Sequence, residues 1–203
     1  MKKLKKDPLN LIIIGVAGQG NVVISMLTCN ALLREGYLVT FGQTYGANQR
    51  GGPVMNYVRV SQEIQCSPLL PDGTADVILA LEPVEALRML AKYGNPNVTT
   101  IVNPRPIISI DAARGDSPYP DLDTLTQAIK DLSAKTWLIN ATEEAQKLGN
   151  PIVANVILAG ALIGSGILPL DKKAMETELR ERFPRAIDLN MRAFNRGIEL
   201  VSA

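Results

Sequence analysis

The sequence predicts an α/β fold, in which a doubly wound, mostly parallel sheet is followed by a C-terminal helical element. Short, continuously apolar runs alternate with segments of helical periodicity through residues 9–141. A glycine-rich turn joins the first apolar run to the first helical segment, and from residue 142 onward the periodicity is helical. We therefore expect one domain over residues 1–203, with a flexible tail at 1–8 and a helical C-terminal part at 142–203.

The first part of the sequence predicts a strand, a glycine-rich turn, a helix and a second strand. Leu9–Ile14 is an apolar run with Asn10 as its one polar residue, as expected of a strand covered on both faces. Apolar residues then recur at helical spacing from Gln19 to Arg34, and Gly36 ends the helix. Tyr37–Phe41 is the next strand, at the distance of a βαβ unit. We expect these two strands to be neighbours in the sheet.

The middle of the chain continues the alternation. Val54–Val60 alternates in polarity, which predicts a half-buried strand and suits an antiparallel one. Residues 75–82 form a short buried strand, and the next helix has Pro83 in its first turn and Gly94 past its end.

Two more strands and one helix complete the predicted sheet region. Residues 98–103 and 135–141 are the strands. The helix between them has Asp121 or Asp123 available as its N-cap.

The C-terminal part opens with a strong helix signal, because Asn150 can cap and Pro151 suits the first turn. The following run, Ile152–Leu168, is interrupted by Asn155 and by small residues, and it lacks flanking anchors. We interpret it as a buried helix ended by Pro169, and not as a membrane span. Two more helices close the chain.

Composition excludes several kinds of chemistry. The chain has 21 Lys and Arg against 20 Asp and Glu, so its net charge of +1 favours neither nucleic acid nor a membrane as a partner. It has no histidine, which removes Ser–His and Cys–His nucleophilic pairs and histidine-based metal sites. Its two cysteines, Cys29 and Cys66, are too few for an iron–sulfur cluster, which needs about four ligands. We expect Cys29 to be buried and the protein to be cytoplasmic.

The first glycine-rich turn contains Gly15, Gly18, Gln19 and Gly20 between a strand and a helix. Such a turn lets an anion approach backbone amides at the positive end of the helix. It departs from the dinucleotide fingerprint, because Ala17 stands at the third position and no acid ends the second strand. Three interpretations stay open: an NAD or FAD site, close helix–strand packing alone, or contact with another phosphate or a partner.

A second polar, glycine-rich segment, Gln43–Val54, follows the second strand, and we call it the second loop. Arg50 supplies a planar fork that suits a phosphate or a carboxylate. In an open α/β sheet, ligands bind beyond the carboxyl ends of the strands. Both glycine-rich segments follow such ends, so we expect them to lie side by side at one edge of the sheet and to form a binding site or an interface.

With these two segments the chain resembles the gamma subunit, or gamma domain, of the 2-oxoacid:ferredoxin oxidoreductases. That family has a Gly-x-Gly-Gly-Gln-Gly turn, a helix ending in glycine, a Gln–Arg–Gly–Gly loop and then a strand with an arginine. Residues 15–61 match this pattern with Ala17 as the departure, and residues 75–88, 150–170 and 190–201 are also similar. As a separate subunit with a helical C-terminal part, the chain is most similar to the beta subunits of the indolepyruvate branch.

The resemblance implies a specific role. Complexes of this family convert a 2-oxoacid and coenzyme A into an acyl-CoA and CO2, and they pass the electrons to ferredoxin. Thiamine diphosphate, Mg2+ and the iron–sulfur cluster would lie on a larger catalytic subunit, and the present chain would carry no catalytic residue. The resemblance implies that the following residues face coenzyme A or the catalytic subunit: Gly15, Gly18, Gln19, Gly20, Thr44, Gln49, Arg50, Gly51 and Gly52.

Two other functions fit the residues. A stand-alone nucleotide-binding oxidoreductase of Rossmann type would bind NAD or FAD without a partner. A purely structural module would use its glycine-rich turns only to shape an interface.

Overall fold

The computed structural model describes residues 2–45, 52–108 and 118–202. Six strands form one sheet in the order β2-β3-β1-β4-β5-β6. The strands are β1 (Leu9–Val16), β2 (Leu38–Tyr45), β3 (Pro53–Ser61), β4 (Val77–Ala80), β5 (Thr99–Val102) and β6 (Lys135–Leu138). The helices in these residues are α1 (Asn21–Arg34), α2 (Pro83–Tyr93), α3 (Leu122–Asp131), α4 (Ala141–Lys147), α5 (Ala154–Gly164), α6 (Lys172–Arg182) and α7 (Ile187–Ser202).

The sheet is mostly parallel, as the sequence predicts. β1, β4, β5 and β6 run parallel to one another. β3 is antiparallel to both β1 and β2, which confirms its predicted direction. The expectation that β1 and β2 are neighbours is wrong, because β3 lies between them. Val58 of β3 pairs with Leu11 on one side and with Phe41 on the other, and it is completely buried.

Both faces of the sheet are covered, which explains why residues 11–14 of β1 are all apolar. Leu11 and Ile13 pack into a core with α1 and the C-terminal helices α5, α6 and α7. Ile12 and Ile14 point to the opposite face and pack into a second core with α2 and α3. Since a strand alternates its side chains between two faces, both sets must be apolar when both faces are buried.

The apolar C-terminal segment is buried, as predicted, but it is shorter than expected. It begins with a 3-10 turn at Pro151–Val153, whose first free amide is capped by the Asn150 side chain. The α-helical part, α5, ends at Gly164, well before Pro169. There the Ser165 hydroxyl donates to the Leu162 carbonyl at 2.7 Å and satisfies one of the last acceptors of the helix. Among the helices of the described ranges, none is long and apolar enough to cross a membrane.

The N-terminal residues make more contacts than a free tail would. Leu4 is buried in the core, and its amide donates to the Gln62 side chain at 3.0 Å. The Tyr37 hydroxyl donates to the Lys2 carbonyl at 2.6 Å. The expectation of a flexible, solvated end at residues 1–8 therefore fails for Leu4, because its apolar side chain finds a place beside the sheet.

Candidate functional site

Residues 17–20, which we call the glycine turn, connect β1 to α1. Gly20 is the N-cap of α1 and has φ of 89°, in the left-handed region. A Cβ at Gly20 would also overlap the side-chain amide of Asn155, which lies against it. Since Gly20 has no side chain, none of the free amides in the first turn of α1 is capped by its own N-cap residue. The positive end of α1 is therefore open at this turn.

The Gln19 side chain fixes the position of the glycine turn. Its Oε1 accepts a hydrogen bond from the Val16 amide at 2.6 Å. Its Nε2 donates to the carbonyl of Leu81, directly after β4, at 2.9 Å. Gly15 leaves room for this side chain, since a Cβ there would lie 2.7 Å from Gln19 Oε1. Gln19 is predicted to face coenzyme A or the catalytic subunit, and in the structure both polar ends of its side chain bind the backbone.

The end of the second loop meets the glycine turn. The Ala17 amide donates to the Gly52 carbonyl at 3.0 Å, and Gly52 is buried. Asn21 Nδ2, in the first turn of α1, donates to the Val54 carbonyl at 2.8 Å. Thr44 lies at the exposed end of β2, and its hydroxyl donates to the Met55 carbonyl at 3.4 Å. The remaining predicted residues of this loop, Gln49, Arg50 and Gly51, lie outside the described residues.

A cavity of about 680 Å³ lies on the other side of the glycine turn, between it and the C-terminal helices. Gly18, Gln19 and Gly20 form one part of its wall. Polar residues from several parts of the chain line other parts of the wall: Asn103, Arg105, Thr142, Asn150, Asn155 and Asn190. Neither Thr44 nor Gly52 belongs to this wall. The structure therefore divides the predicted site residues, since the glycine turn reaches the cavity and the described ends of the second loop do not.

Asn103 carries the most informative polar group of the cavity wall. It follows β5 directly and is only 3% exposed. Its Nδ2 donates to the Thr142 hydroxyl at 3.1 Å and lies 3.5 Å from the Leu81 carbonyl. Its Oδ1 has no hydrogen-bond partner in the described part of the chain. Since buried acceptors are rarely left unpaired, this oxygen marks a place where a ligand donor or a water would bind.

Sequence reasoning missed the residues that complete the cavity wall. Asn103 was assigned to a strand, although a polar residue at the carboxyl end of a buried strand is the same signal that identified the glycine turn. Asn155 was noted only as an interruption of an apolar run. Its contact with Gly20 depends on how α5 folds back over the sheet, which no local pattern shows.

Two acidic side chains lie at the start of α2. Glu82 caps this helix, with its carboxylate accepting from the Glu85 amide at 2.9 Å. The Tyr119 hydroxyl donates to the same carboxylate, and burial with this bond raises the pKa of Tyr119. Burial also raises the pKa of Glu85, whose Oε2 has no partner among the residues the structure describes. Glu82 is thus held as a helix cap by polar partners.

The two cysteines occupy different environments. Cys29 lies on α1 and is buried, as predicted, and burial raises the pKa of its thiol to about 12. Cys66 is partly exposed and lies in the segment that follows β3. A protonated, buried thiol is a poor nucleophile and a poor metal ligand. Cys29 is therefore part of the core.

Comparisons with known proteins identify related sequences along nearly the whole chain. The sequence model of the pyruvate ferredoxin/flavodoxin oxidoreductase family matches residues 10–200. The indolepyruvate oxidoreductase subunit IorB of Archaeoglobus fulgidus is 37% identical over 190 residues, which cover 93% of each chain. The subunit of the same name from Thermococcus kodakarensis is 37% identical over 192 residues, or 94% of each chain. Pyruvate synthase subunit PorC of Thermotoga maritima is 26% identical over 200 residues, covering 92% of this chain and 91% of that one.

Solved structures show the same fold. The gamma subunit of a keto/oxoacid ferredoxin oxidoreductase from Geobacter sulfurreducens has a TM-score of 0.67 and 23% identity, and the match covers 96% of this chain and 98% of that one. A 2-oxoglutarate:ferredoxin oxidoreductase from Magnetococcus marinus has a TM-score of 0.77 and 20% identity, over 98% of this chain and 32% of that one. At these identities the likeness concerns the fold, and it confirms the predicted α/β class.

Proposed function

The chain belongs to the pyruvate ferredoxin/flavodoxin oxidoreductase family, and on this premise we propose that it is the small, non-catalytic subunit of an indolepyruvate:ferredoxin oxidoreductase. One observation carries the choice of substrate. The relatives named for indolepyruvate are 33–37% identical over more than nine-tenths of both chains. Relatives named for ketoisovalerate, pyruvate and 2-oxoglutarate are 25–28% identical. Arylpyruvates are therefore the favoured substrates of the complex.

The reaction of such a complex needs groups that this chain does not supply. Oxidative decarboxylation of the 2-oxoacid, which releases CO2, and transfer of the remaining acyl group to coenzyme A would use thiamine diphosphate, Mg2+ and an iron–sulfur cluster on the larger subunit. The residues of this chain do not fit a cluster, because a cluster needs about four ligands and the chain has only two cysteines, the buried Cys29 and the partly exposed Cys66. The alternative function, a stand-alone oxidoreductase of Rossmann type, has no support from the relatives, since each of those named above is a subunit of a 2-oxoacid oxidoreductase.

The contribution of this chain would be binding and positioning. The open positive end of α1 at Gly20 fits a phosphate of coenzyme A or a carboxylate of the catalytic subunit. The Ala17–Gly52 bond holds the end of the second loop against this helix end, and Arg50 lies two positions before Gly52 in the sequence. We assign Arg50 as the side chain that pairs with that anion.

Co-expression with the larger, thiamine-binding subunit tests the subunit role. A tagged copy of this chain should retain the larger subunit through gel filtration, and the complex should reduce ferredoxin faster with indolepyruvate than with pyruvate or 2-oxoglutarate. Failure to co-purify with the larger subunit would contradict the proposal. A complex that prefers pyruvate would contradict the choice of substrate only.

Arg50→Ala in the complex tests the second loop. We expect the KM for coenzyme A to rise, or the complex to dissociate, with an effect of roughly tenfold for loss of a charge-assisted bond. Arg180→Ala, an exposed arginine on α6, is the matched control and should leave both unchanged. If the Arg50 variant behaves like this control, the second loop has only a structural role.

A further inference from the structure

The solvent-facing side of α1 is apolar. Val22, Met26 and Leu33 lie on one side of this helix, at spacings of four and seven residues, and we call them the α1 stripe. Their exposed fractions are 40%, 45% and 54%. Asn30 is exposed as well, and the helix has no charged residue before Arg34 in its last turn. In the single chain, three large apolar side chains are thus exposed along one helix.

Helices α3 and α6 show the ordinary arrangement of a surface helix. The exposed residues of α3 are all polar: Asp123, Thr124, Gln127, Lys130 and Asp131. The exposed residues of α6 are all charged: Lys172, Lys173, Arg180, Glu181 and Arg182. An amphipathic helix normally keeps such residues on its solvent side, and a contiguous exposed apolar surface marks a place that a partner covers. The outer face of α1 therefore has the character of an interaction surface.

Paired charges border the α1 stripe on the side of α6. The guanidinium of Arg34 contacts the carboxylates of Glu178 and Glu181. Glu181 and Arg182 line a groove of about 190 Å³ together with Met26. Protein interfaces have a centre that is depleted of charges and a polar rim, and methionine and arginine are enriched in them. The surface formed by α1 and the edge of α6 has this composition.

The α1 stripe is too small to be a whole interface. Its three side chains are each only about half exposed, whereas stable interfaces bury roughly 1,200 Å² or more in total. Two copies of this chain would therefore not be held together by their α1 stripes alone. The stripe begins at Val22, two residues after the glycine turn, which we place against coenzyme A or the larger subunit. An interface with the larger subunit can thus extend from the turn along α1.

A longer relative favours the same occupant. The ketoisovalerate oxidoreductase subunit VorA of Methanothermobacter thermautotrophicus is 25% identical over 190 residues, which are 92% of this chain but 35% of that one. In such a chain the matching domain has covalently linked neighbours that can cover an apolar face. For the present chain, the corresponding neighbours would belong to a separate subunit.

We propose that the α1 stripe is buried against an apolar surface of the larger subunit. The inference rests on the proposed function, because it takes the larger subunit as the partner, and it adds a surface beyond the glycine turn and the second loop. Leu33 lies about 20 Å along the helix axis from Gly20, since each helical residue adds about 1.5 Å. Contacts of Met26 and Leu33 are therefore protein contacts, separate from anion binding at the start of α1.

Met26→Lys and Leu33→Lys test the proposal in the complex. Lysine has nearly the helix propensity of methionine and leucine, so the isolated variants should unfold at the wild-type temperature. An unpaired ammonium at a buried interface should raise the Kd for the immobilised larger subunit at least roughly tenfold in each variant, as measured by biolayer interferometry. Ile64→Lys, at a side chain that is 58% exposed in the segment after β3, is the matched control and should bind like the wild type.

The outcomes separate this inference from the proposed function. Wild-type affinity in both α1 variants would overturn the inference and leave the subunit role intact. If the wild-type chain itself does not bind the larger subunit, both fail. Normal affinity with a raised KM for coenzyme A would place the stripe at the coenzyme and contradict the inference. In sedimentation of the isolated chain, a wild-type dimer that Met26→Lys dissociates would identify a second copy as the occupant and also overturn it.

Discussion

The backbone amide of Ala17 donates a hydrogen bond to the carbonyl of Gly52 at 3.0 Å, and this bond joins the two glycine-rich segments of the chain. It forms because β3 returns beside β1, which puts Gly52, near the end of the second loop, next to the glycine turn. On the other flank of the same turn, Asn155 lies against Gly20. The turn is thus held between the second loop and the C-terminal helices, and each of these contacts can be tested separately.

Replacing Gln19 by Ala should destabilise the protein. The variant leaves the Val16 amide and the Leu81 carbonyl without their side-chain partner, and an unsatisfied buried polar group costs about 1–3 kcal/mol. Urea denaturation measures the loss in free energy of unfolding. Gln146→Ala, an exposed residue on α4, is the control and should cost almost nothing. Equal stability of the two variants would show that Gln19 does not hold the turn.

Gly20→Ala should cost more than Gly149→Ala. Both glycines have left-handed backbones, with φ of 89° and 92°, so both variants carry a strain of about 1–2 kcal/mol. A Cβ at Gly149 meets no atom within 4 Å, whereas a Cβ at Gly20 overlaps Asn155. Thermal unfolding gives the loss in free energy of unfolding for each variant. The difference between the two losses therefore measures the contact of the turn with α5.

The origin of that difference can be tested by introducing Gly20→Ala into the Asn155→Ala variant. There, Gly20→Ala should cost only its backbone strain, close to the cost at Gly149. If the excess cost at Gly20 persists without the Asn155 side chain, the overlap is not its source.

Thiol titration should distinguish the two cysteines. At pH 8 the buried Cys29 thiol stays protonated, because its pKa is raised to about 12. A disulfide reagent should therefore count one thiol in the native protein, that of Cys66, and two in urea. Cys66→Ser should abolish the native reaction. Because the folded pKa of Cys29 lies above its ordinary value of 9.0, stability should also fall as pH rises from about 9 toward 12.

Glu85→Gln should stabilise the protein at neutral pH. Burial raises the pKa of Glu85, so the folded state favours the protonated form and loses stability as pH rises through that pKa. The variant should match the wild type near pH 4 and exceed it near pH 7 in free energy of unfolding. The exposed Glu63→Gln variant should show no such trend. If the Glu85→Gln variant were less stable than the wild type at pH 7, the ion pair of Glu85 with Arg88 would outweigh the cost of burying the carboxylate.

The sequence was sufficient for features that depend on local patterns. The apolar run of β1 predicts a strand buried on both faces. The sequence offers Asp121 or Asp123 as the N-cap of α3, and Asp121 takes this place, accepting from the Thr124 amide at 2.9 Å. The insertion of β3 between β1 and β2 was not predictable, since pairing partners are decided by contacts that are distant in sequence. The cavity was missed for the same reason, because it exists only where α5 and α7 fold over the end of the sheet.

Reconstitution from separately purified subunits tests the central claim most directly. The larger subunit alone and this chain alone should each fail to reduce ferredoxin with indolepyruvate and coenzyme A. Adding this chain to the larger subunit should restore the rate and saturate at a fixed stoichiometry. Turnover by this chain alone, or full activity of the larger subunit without it, would contradict the account.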